Sequence, residues 1–228
     1  MTTSSARAAT AIFLFSAFSA LGAGCSTRVQ VPEEPTPAPA PVPAAAEHHH
    51  MADSAGMAGM AGMSTPVRIP EGALYTEADV RFMQGMIAHH AQAIFMSRLA
   101  ASRGANPRLL KFATKIDQSQ VAEIRLMQEW LRANGQAAPD TSSWRGMSMP
   151  GMLSAAQLAQ LDAARGSEFD RQFLTLMIRH HQGALRMVAE LLATPRAAQD
   201  VDVSVLANDV ETVQTAEIAV MQQMLADL

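Results

Sequence analysis

The sequence predicts an all-α protein built as an up-down four-helix bundle. Long segments repeat apolar residues at helical spacing, strand-like alternation is missing, and a helical hairpin occurs twice. The first helices of the two copies align His89-His90 with His180-His181 at an offset of 91 residues, and the second helices align Gln120 with Gln214 at an offset of 94. One hairpin is too small to bury its own apolar face, so pairing of the copies is expected to close the core.

Residues 1–24 are predicted to form an export signal. Arg7 is followed by an apolar stretch too short for a membrane span, and small residues precede Cys25. The segment resembles a bacterial lipoprotein box, although Gly22 stands where Leu is usual. We expect cleavage before Cys25 and lipidation of this cysteine, with an ordinary secretory signal as the alternative. Because Cys25 is the only cysteine, no intramolecular disulfide can form.

Residues 25–70 are predicted to be a disordered linker. Proline occupies nearly every second position between Pro35 and Pro43, which favours extended chain. A tract of Gly, Ala and Met follows, and it cannot form a core. Beside the plain linker interpretation stands an auxiliary metal-binding role for His48, His49, His50, Met57, Met60 and Met63.

The folded part is expected over residues 71–228, with repeat one at 76–134 and repeat two at 154–228. This length is typical of a single domain with a sizeable core. The net charge is −4, from 17 basic and 21 acidic residues, and the basic residues do not cluster. Nucleic acid is therefore not an expected partner.

In repeat one, start and stop residues predict two long helices. The first begins near Thr76, where Thr76 and Asp79 resemble a capping box, and it ends near Arg103, before Gly104. The second spans 107–133 and closes at Asn134-Gly135.

The connection over 139–154 contains a methionine cluster, Met147, Met149 and Met152. Ser154 is then expected to cap a short helix over 155–165, and Ser167 to cap the third long helix, which ends near Ala193. The fourth long helix is expected over 201–228.

Helical spacing puts imidazole and thioether groups on shared faces of the first and third long helices. Asp79, Met83, Met86 and His90 lie on one stripe that points toward the core, and the second copy repeats it with Asp170, Leu174, Met177 and His181. Imidazole and thioether ligands favour soft ions such as Cu(I). The predicted metal ligands are His89, His90, His180, His181, Met86, Met96, Met177 and Met187, with Asp79 and Asp170 as oxygen donors.

Polar residues on the other two long helices are predicted to support the imidazoles. A buried amide without a partner costs on the order of 1–3 kcal/mol, so a Gln within an aliphatic stripe needs a hydrogen bond. We expect these residues to orient the imidazole rings from a second layer. They are Gln120, Glu123 and Met127 in one copy and Gln214, Glu217 and Met221 in the other.

Other interpretations of the histidines stay open at this point. A di-iron bundle uses Glu-x-x-His, but Met86 and Met177 occupy the position of that Glu. Zinc remains an alternative, since two His pairs meeting in the core supply suitable ligands. An inert core with satisfied His and space-filling Met is the plain alternative.

The motif Asp-x2-Phe-x3-Met-Ile-x-His-His-x2-Ala at 79–93 and 170–184, with Gln-x2-Glu-Ile-x2-Met at 120–127 and 214–221, resembles the bacterial "domain of unknown function 305" family. The resemblance covers about residues 75–228. It implies an exported, ferritin-like four-helix bundle whose better-studied members are periplasmic copper-binding and copper-resistance proteins. Position by position, it points to His89, His90, His180, His181, Met86, Met96, Met177 and Met187.

The predicted function is sequestration or relay of Cu(I) in the cell envelope, by a lipid-anchored protein that faces the periplasm. The expected partners are the metal ion, the membrane through the anchor, and other copper-handling envelope proteins. No Ser-His-Asp, Cys-His or paired-carboxylate constellation is evident, so no catalytic turnover is expected. The alternatives are a metal-dependent di-metal oxidoreductase on the same bundle and a structural envelope lipoprotein without a metal role.

Overall fold

The computed structural model describes residues 66–228, and that part of the chain is all-α, without a strand. The helices are α1 (Glu77–Ser102), α2 (Pro107–Ala133), α3 (Ala155–Ala163), α4 (Gly166–Ala193) and α5 (Val201–Ala226). The predicted fold class is confirmed, with α3 as the short helix in the connection between the two hairpins. None of these helices is long and apolar enough to cross a membrane.

Two helix starts, those of α1 and α3, use the cap residues that the sequence predicts. Thr76 and Asp79 form a complete capping box at α1, and the Ser154 side chain accepts a hydrogen bond from the backbone of Gln157 at the start of α3. The prediction for α4 was wrong, because this helix begins at Gly166 and Ser167 does not cap it. The Gly166 N–H instead donates to the Arg103 carbonyl, so the end of repeat one supplies the acceptor.

The two hairpins associate mainly through their first helices. α1 packs along α2, α4 packs along α5, and the hairpins meet where α1 lies against α4, whereas α2 and α5 barely touch. Since Arg103 at the end of α1 meets Gly166 at the start of α4, these two helices run antiparallel. The buried core follows their shared surface, which carries both His pairs.

The connection from α2 to α3 lies across this surface as an ordered strap, here defined as residues 147–154. The Gln92 side chain of α1 holds it with two hydrogen bonds to the Leu153 backbone, Nε2 to O at 3.1 Å and Oε1 from N at 2.7 Å. The strap therefore has a fixed position over α1.

Candidate metal centre

The four histidines of the two pairs lie together in the middle of α1 and α4. The side chains of His89, His90, His180 and His181 are all inaccessible to solvent, with at most 1% of any residue exposed. Histidine is less often fully buried than aliphatic residues are. Four such residues in one core need a physical explanation.

His89 and His180 join the two copies directly. Their ring centroids are 3.9 Å apart with 40° between the ring planes, so one imidazole packs on the other across the contact between α1 and α4. The ring of His181 does not stack in this way, because its centroid is 6.5 Å from that of His180. The duplication thus places equivalent residues of the two repeats against each other.

Three of the imidazoles are oriented through their Nε2 atoms. His90 Nε2 lies 2.6 Å from Glu123 Oε2, and His181 Nε2 lies 2.9 Å from Glu217 Oε2, which is the same pairing in both copies. Carboxylate oxygens accept, so we assign the proton to Nε2 in both residues. His89 Nε2 likewise donates to the Pro150 carbonyl of the strap at 3.0 Å.

This arrangement leaves the opposite nitrogen of each ring as a lone-pair donor. In a neutral imidazole with Nε2–H, the Nδ1 atom is an acceptor. The Nδ1 atoms of His89, His90, His180 and His181 are all buried without a hydrogen-bond partner, and His180 Nε2 also has none. The backbone of His89 is near His180 but lies outside hydrogen-bond geometry. Unpaired buried polar atoms of this kind cost stability unless a ligand uses them.

The surroundings keep the central pair uncharged. Burial lowers the pKa of His89 from 6.5 to about 3, assisted by the neighbouring His90, while the bond to Pro150 opposes the shift. Burial also lowers the pKa of His180 well below its usual value, with His89 and His181 adding to the effect. Neutral imidazole is the form that binds metals.

Thioethers line the same helix faces. Met86 and Met177 precede their His pairs by one turn, and both are fully buried, as is Met96, while Met187 is 5% exposed. Met127 and Met221 are also buried. Within residues 66–228, no three His, Cys, Asp or Glu side chains are placed to share a metal ion. Any ion here must therefore take thioether ligands or few ligands in total.

The two aspartates proposed as oxygen donors have other partners. Asp79 accepts from the backbone N–H of Thr76 at 2.6 Å and of Ala198 at 2.7 Å. Asp170 accepts from the side-chain amide of Asn106 at 2.7 Å. At about 1.5 Å of rise per residue, each lies about 16 Å along its helix from its His pair. The structure does not bring them to the imidazoles.

Comparison with known proteins identifies the family of this chain. A family model described as "Domain of unknown function (DUF305)" matches residues 79–225. The chain belongs to the DUF305 family. No curated protein matches it in sequence.

Several solved structures resemble this one, and two of them are described as DUF305 proteins. A DUF305 fragment from Deinococcus radiodurans is 32% identical, with a TM-score of 0.59 over 68% of this chain and 99% of that one. A DUF305 protein from Streptomyces coelicolor that is regarded as secreted is 28% identical, with a TM-score of 0.59 over 66% of this chain and 93% of that one. CopM in its Cu(II)-bound form is 28% identical, with a TM-score of 0.53 over 65% of this chain and 96% of that one.

The strap is the part of this DUF305 site that the sequence pattern did not predict. Pro150 contacts His89, and Gly151 lies so close to α4 that an added Cβ would be 2.8 Å from the His180 carbonyl. Gly183 in α4 makes this approach feasible. A signal was present, because Gly183 corresponds to Gln92 at the offset of 91 and an isolated glycine in a helix indicates close backbone approach.

The predicted supporting residues of the DUF305 repeats differ in what they contact. Glu123 and Glu217 hydrogen-bond the imidazoles. Gln120 and Gln214 are buried, but their Oε1 atoms have no hydrogen-bond partner. Support of the imidazoles therefore comes from the carboxylates. Cys25 and the auxiliary candidates His48, His49, His50, Met57, Met60 and Met63 lie outside the described residues.

Proposed function

We propose that this DUF305 protein binds copper, as Cu(I), at the buried imidazoles and thioethers between α1 and α4. One observation carries the proposal: the Nδ1 atoms of all four histidines are buried without a hydrogen-bond partner. In three of these rings, a hydrogen bond at Nε2 holds the proton away from Nδ1. These three rings therefore keep a free Nδ1 lone pair in a dry core, and His180 has no hydrogen bond at either ring nitrogen.

The donor set favours Cu(I) over the alternatives. Met86 and Met177 lie one turn before the His pairs, and thioethers select soft ions over hard ones. Tetrahedral zinc needs several His, Cys or carboxylate ligands, and residues 66–228 hold no group of three. Cu(I) forms stable complexes with few ligands, which suits imidazole pairs supplemented by sulfur.

The relatives support a role in copper handling. CopM has been solved in Cu(II)-bound and Cu(I)-bound forms, and the Cu(I)-bound chain is 31% identical to this one with a TM-score of 0.50. CopM has also been solved in an Ag-bound form at 29% identity. We extend the metal preference to this chain because its own core supplies matching soft donors.

We further propose that the protein acts outside the cytosol and sequesters or relays the ion without catalytic turnover. The predicted export signal, the predicted lipidation of Cys25 and the similarity to a DUF305 protein regarded as secreted support this location. The oxidoreductase alternative needs carboxylate ligands from Glu123 or Glu217. Each of these carboxylates is engaged with an imidazole, which supports a role in orienting the ring.

The test is Cu(I) retention against a competing chelator, measured on the full chain and on His90→Ala combined with His181→Ala. We expect the double variant to bind fewer Cu(I) ions than the parent chain. A matched control is Ile87→Ala with Leu174→Ala, which removes equally buried side chains from the same helices but no donor atoms. Equal Cu(I) binding by the His variant and the parent, with both folded by circular dichroism, would refute the proposal.

A further inference from the structure

A groove on the outer side of the strap is lined by methionines that are separate from the central histidines. Its volume is about 760 Å³, and it lies between α1, α3 and the strap. Phe95, Trp144, Met147, Met152 and Arg179 are among the residues that line it. Two thioethers therefore border one solvent-connected space.

The strap fixes these methionines through a tight turn. Met152 N–H donates to the Met149 carbonyl at 3.1 Å, Pro150 is the second residue of the turn, and Gly151 has a φ of 79°. These are the features of a type II turn, which holds the Cα atoms of its first and last residues within about 7 Å. Met149 and Met152 are thus close neighbours, and Met147 precedes them by two residues.

The turn is held on both sides and cannot easily change its course. On one side, Pro150 accepts a hydrogen bond from His89, and the Leu153 backbone makes two hydrogen bonds with Gln92. On the other side, Gly151 lies against α4 at Gly183. Little conformational freedom remains to be lost when a ligand binds, which favours binding at this position.

The three methionines differ in their surroundings. Met147 is half-buried and Met152 is 7% exposed, and both line the groove, whereas Met149 is also 7% exposed but is not among the residues that line it. Pro150, which lies between Met149 and Met152, contacts the central site by accepting a hydrogen bond from His89. Met147 and Met152 therefore both offer thioethers to the groove, next to the residue that contacts His89.

We propose that Met147 and Met152 form a second soft-metal site, which takes a monovalent cation of the Cu(I) class from solvent next to the central histidines. Neutral thioethers bind such ions and discriminate against hard divalent ions. The ligands of this site are independent of the histidines, although a function in passing ions inward rests on the proposed copper function.

Methionine is also a common space-filling residue, so the test must separate packing from coordination. Leucine has nearly the same volume and no sulfur, and Met-to-Leu exchanges usually cost less than about 1.5 kcal/mol. The variant is therefore Met147→Leu with Met152→Leu. Its matched control is Met224→Leu, which has the same 7% exposure as Met152 but lines a different groove, with Arg108 and Lys111.

Trp144 supplies a local readout, because it lines the same groove and Trp130 is the only other tryptophan. In a full chain carrying Trp130→Phe, Ag(I) is titrated while Trp144 emission is recorded. We expect a saturable change in emission that the double leucine variant loses and Met224→Leu keeps. No change in the Trp130→Phe parent, or an unchanged response in the double leucine variant, would overturn the proposal.

The same readout separates this proposal from the proposed function. In His90→Ala combined with His181→Ala, the Trp144 response to Ag(I) should persist even where chelator competition indicates loss of the central site. Loss of the response in this variant, with retention in the double leucine variant, would mean that Trp144 reports on the central histidines. That outcome would reject the second site and leave the proposed function intact.

Discussion

Asp79 at the start of α1 accepts a hydrogen bond from the backbone N–H of Ala198, in the turn between α4 and α5, at 2.7 Å. Ala198 has a φ of 55°, in the left-handed region that non-glycine residues avoid. Asp170 makes the corresponding contact with the turn between α1 and α2, through Asn106. Each repeat therefore holds the turn of the other.

Asp79→Ala is expected to lower the free energy of unfolding by about 2–4 kcal/mol, because it removes the capping box and leaves the half-buried Ala198 N–H without its acceptor. Chemical denaturation of the metal-free protein measures this change. Cu(I) stoichiometry of the folded variant should equal that of the parent chain, since Asp79 is remote from the imidazoles.

Asp117→Ala is the control for this prediction. Asp117 pairs with the exposed Arg98 at 3.1 Å, and such surface pairs contribute at most about 1 kcal/mol. If folded Asp79→Ala bound less Cu(I) than the parent chain, Asp79 would be a metal ligand after all.

Gly183→Ala tests the contact between the strap and α4. Alanine is favoured over glycine in a helix by about 1 kcal/mol, so propensity alone predicts stabilisation. A Cβ at this position would, however, overlap the Pro150 carbonyl, and backbone cannot yield as a side chain does. We expect a net loss of about 1–3 kcal/mol in the free energy of unfolding, as for other overpacked sites.

Gln182→Ala provides the comparison, because it introduces alanine at the neighbouring helix position, which is exposed and free of the steric overlap. Its stability should change by less than about 0.5 kcal/mol. Stabilisation by Gly183→Ala would show that the strap moves away at little cost.

Much of this architecture follows from local patterns. The ends of α1, α2 and α3 are predictable because Thr76, Asn134-Gly135 and Ser154 act through nearby backbone groups. The start of α4 is not, because its acceptor is Arg103, a residue far away in the chain. Periodicity also places the histidines in the core, since a helix face is a local property.

The positions of the imidazole rings relative to one another cannot be predicted from such local patterns. Stacking of His89 on His180 depends on the rotation and height of α1 relative to α4, which spacing within each helix leaves undefined. The distance of Asp79 from the site has the same origin: a shared stripe fixes direction but not position along the helix. The path of the strap depends on Gly183 and Gln92, where the two repeats differ.

Stability of the metal-free protein should fall in mild acid. The folded protein keeps His89 neutral down to a pKa of about 3, whereas the unfolded chain takes up this proton near 6.5. Because the unfolded state then binds more protons, the free energy of unfolding decreases as the pH falls through this interval. The slope is up to about 1.4 kcal/mol per pH unit for each such residue, and His180 adds to it in the same direction.

Denaturation curves between about pH 7 and pH 4 measure this slope, in the region where histidine normally titrates. His89→Gln is the matched variant, because its amide can still donate to Pro150 but does not titrate. We expect a shallower pH dependence in the variant. An identical slope in both proteins would place the titrating group elsewhere.

Glu217→Gln should weaken Cu(I) binding at the central site. The Glu217 carboxylate accepts from His181 Nε2 and thereby keeps the Nδ1 lone pair free and electron-rich. A neutral amide holds the ring less firmly and lowers its basicity as a ligand. Loss of such partners typically costs about 10-fold to 100-fold in metal affinity, and chelator competition measures that change.

Glu211→Gln is the control for this change, because it removes a carboxylate from the same helix at an exposed position. Its Cu(I) affinity should equal that of the parent. Glu123→Gln should act on His90 in the same way as Glu217→Gln acts on His181, since the duplication repeats the pair. Equal Cu(I) affinity of Glu217→Gln and the parent would mean that His181 does not bind the ion through Nδ1.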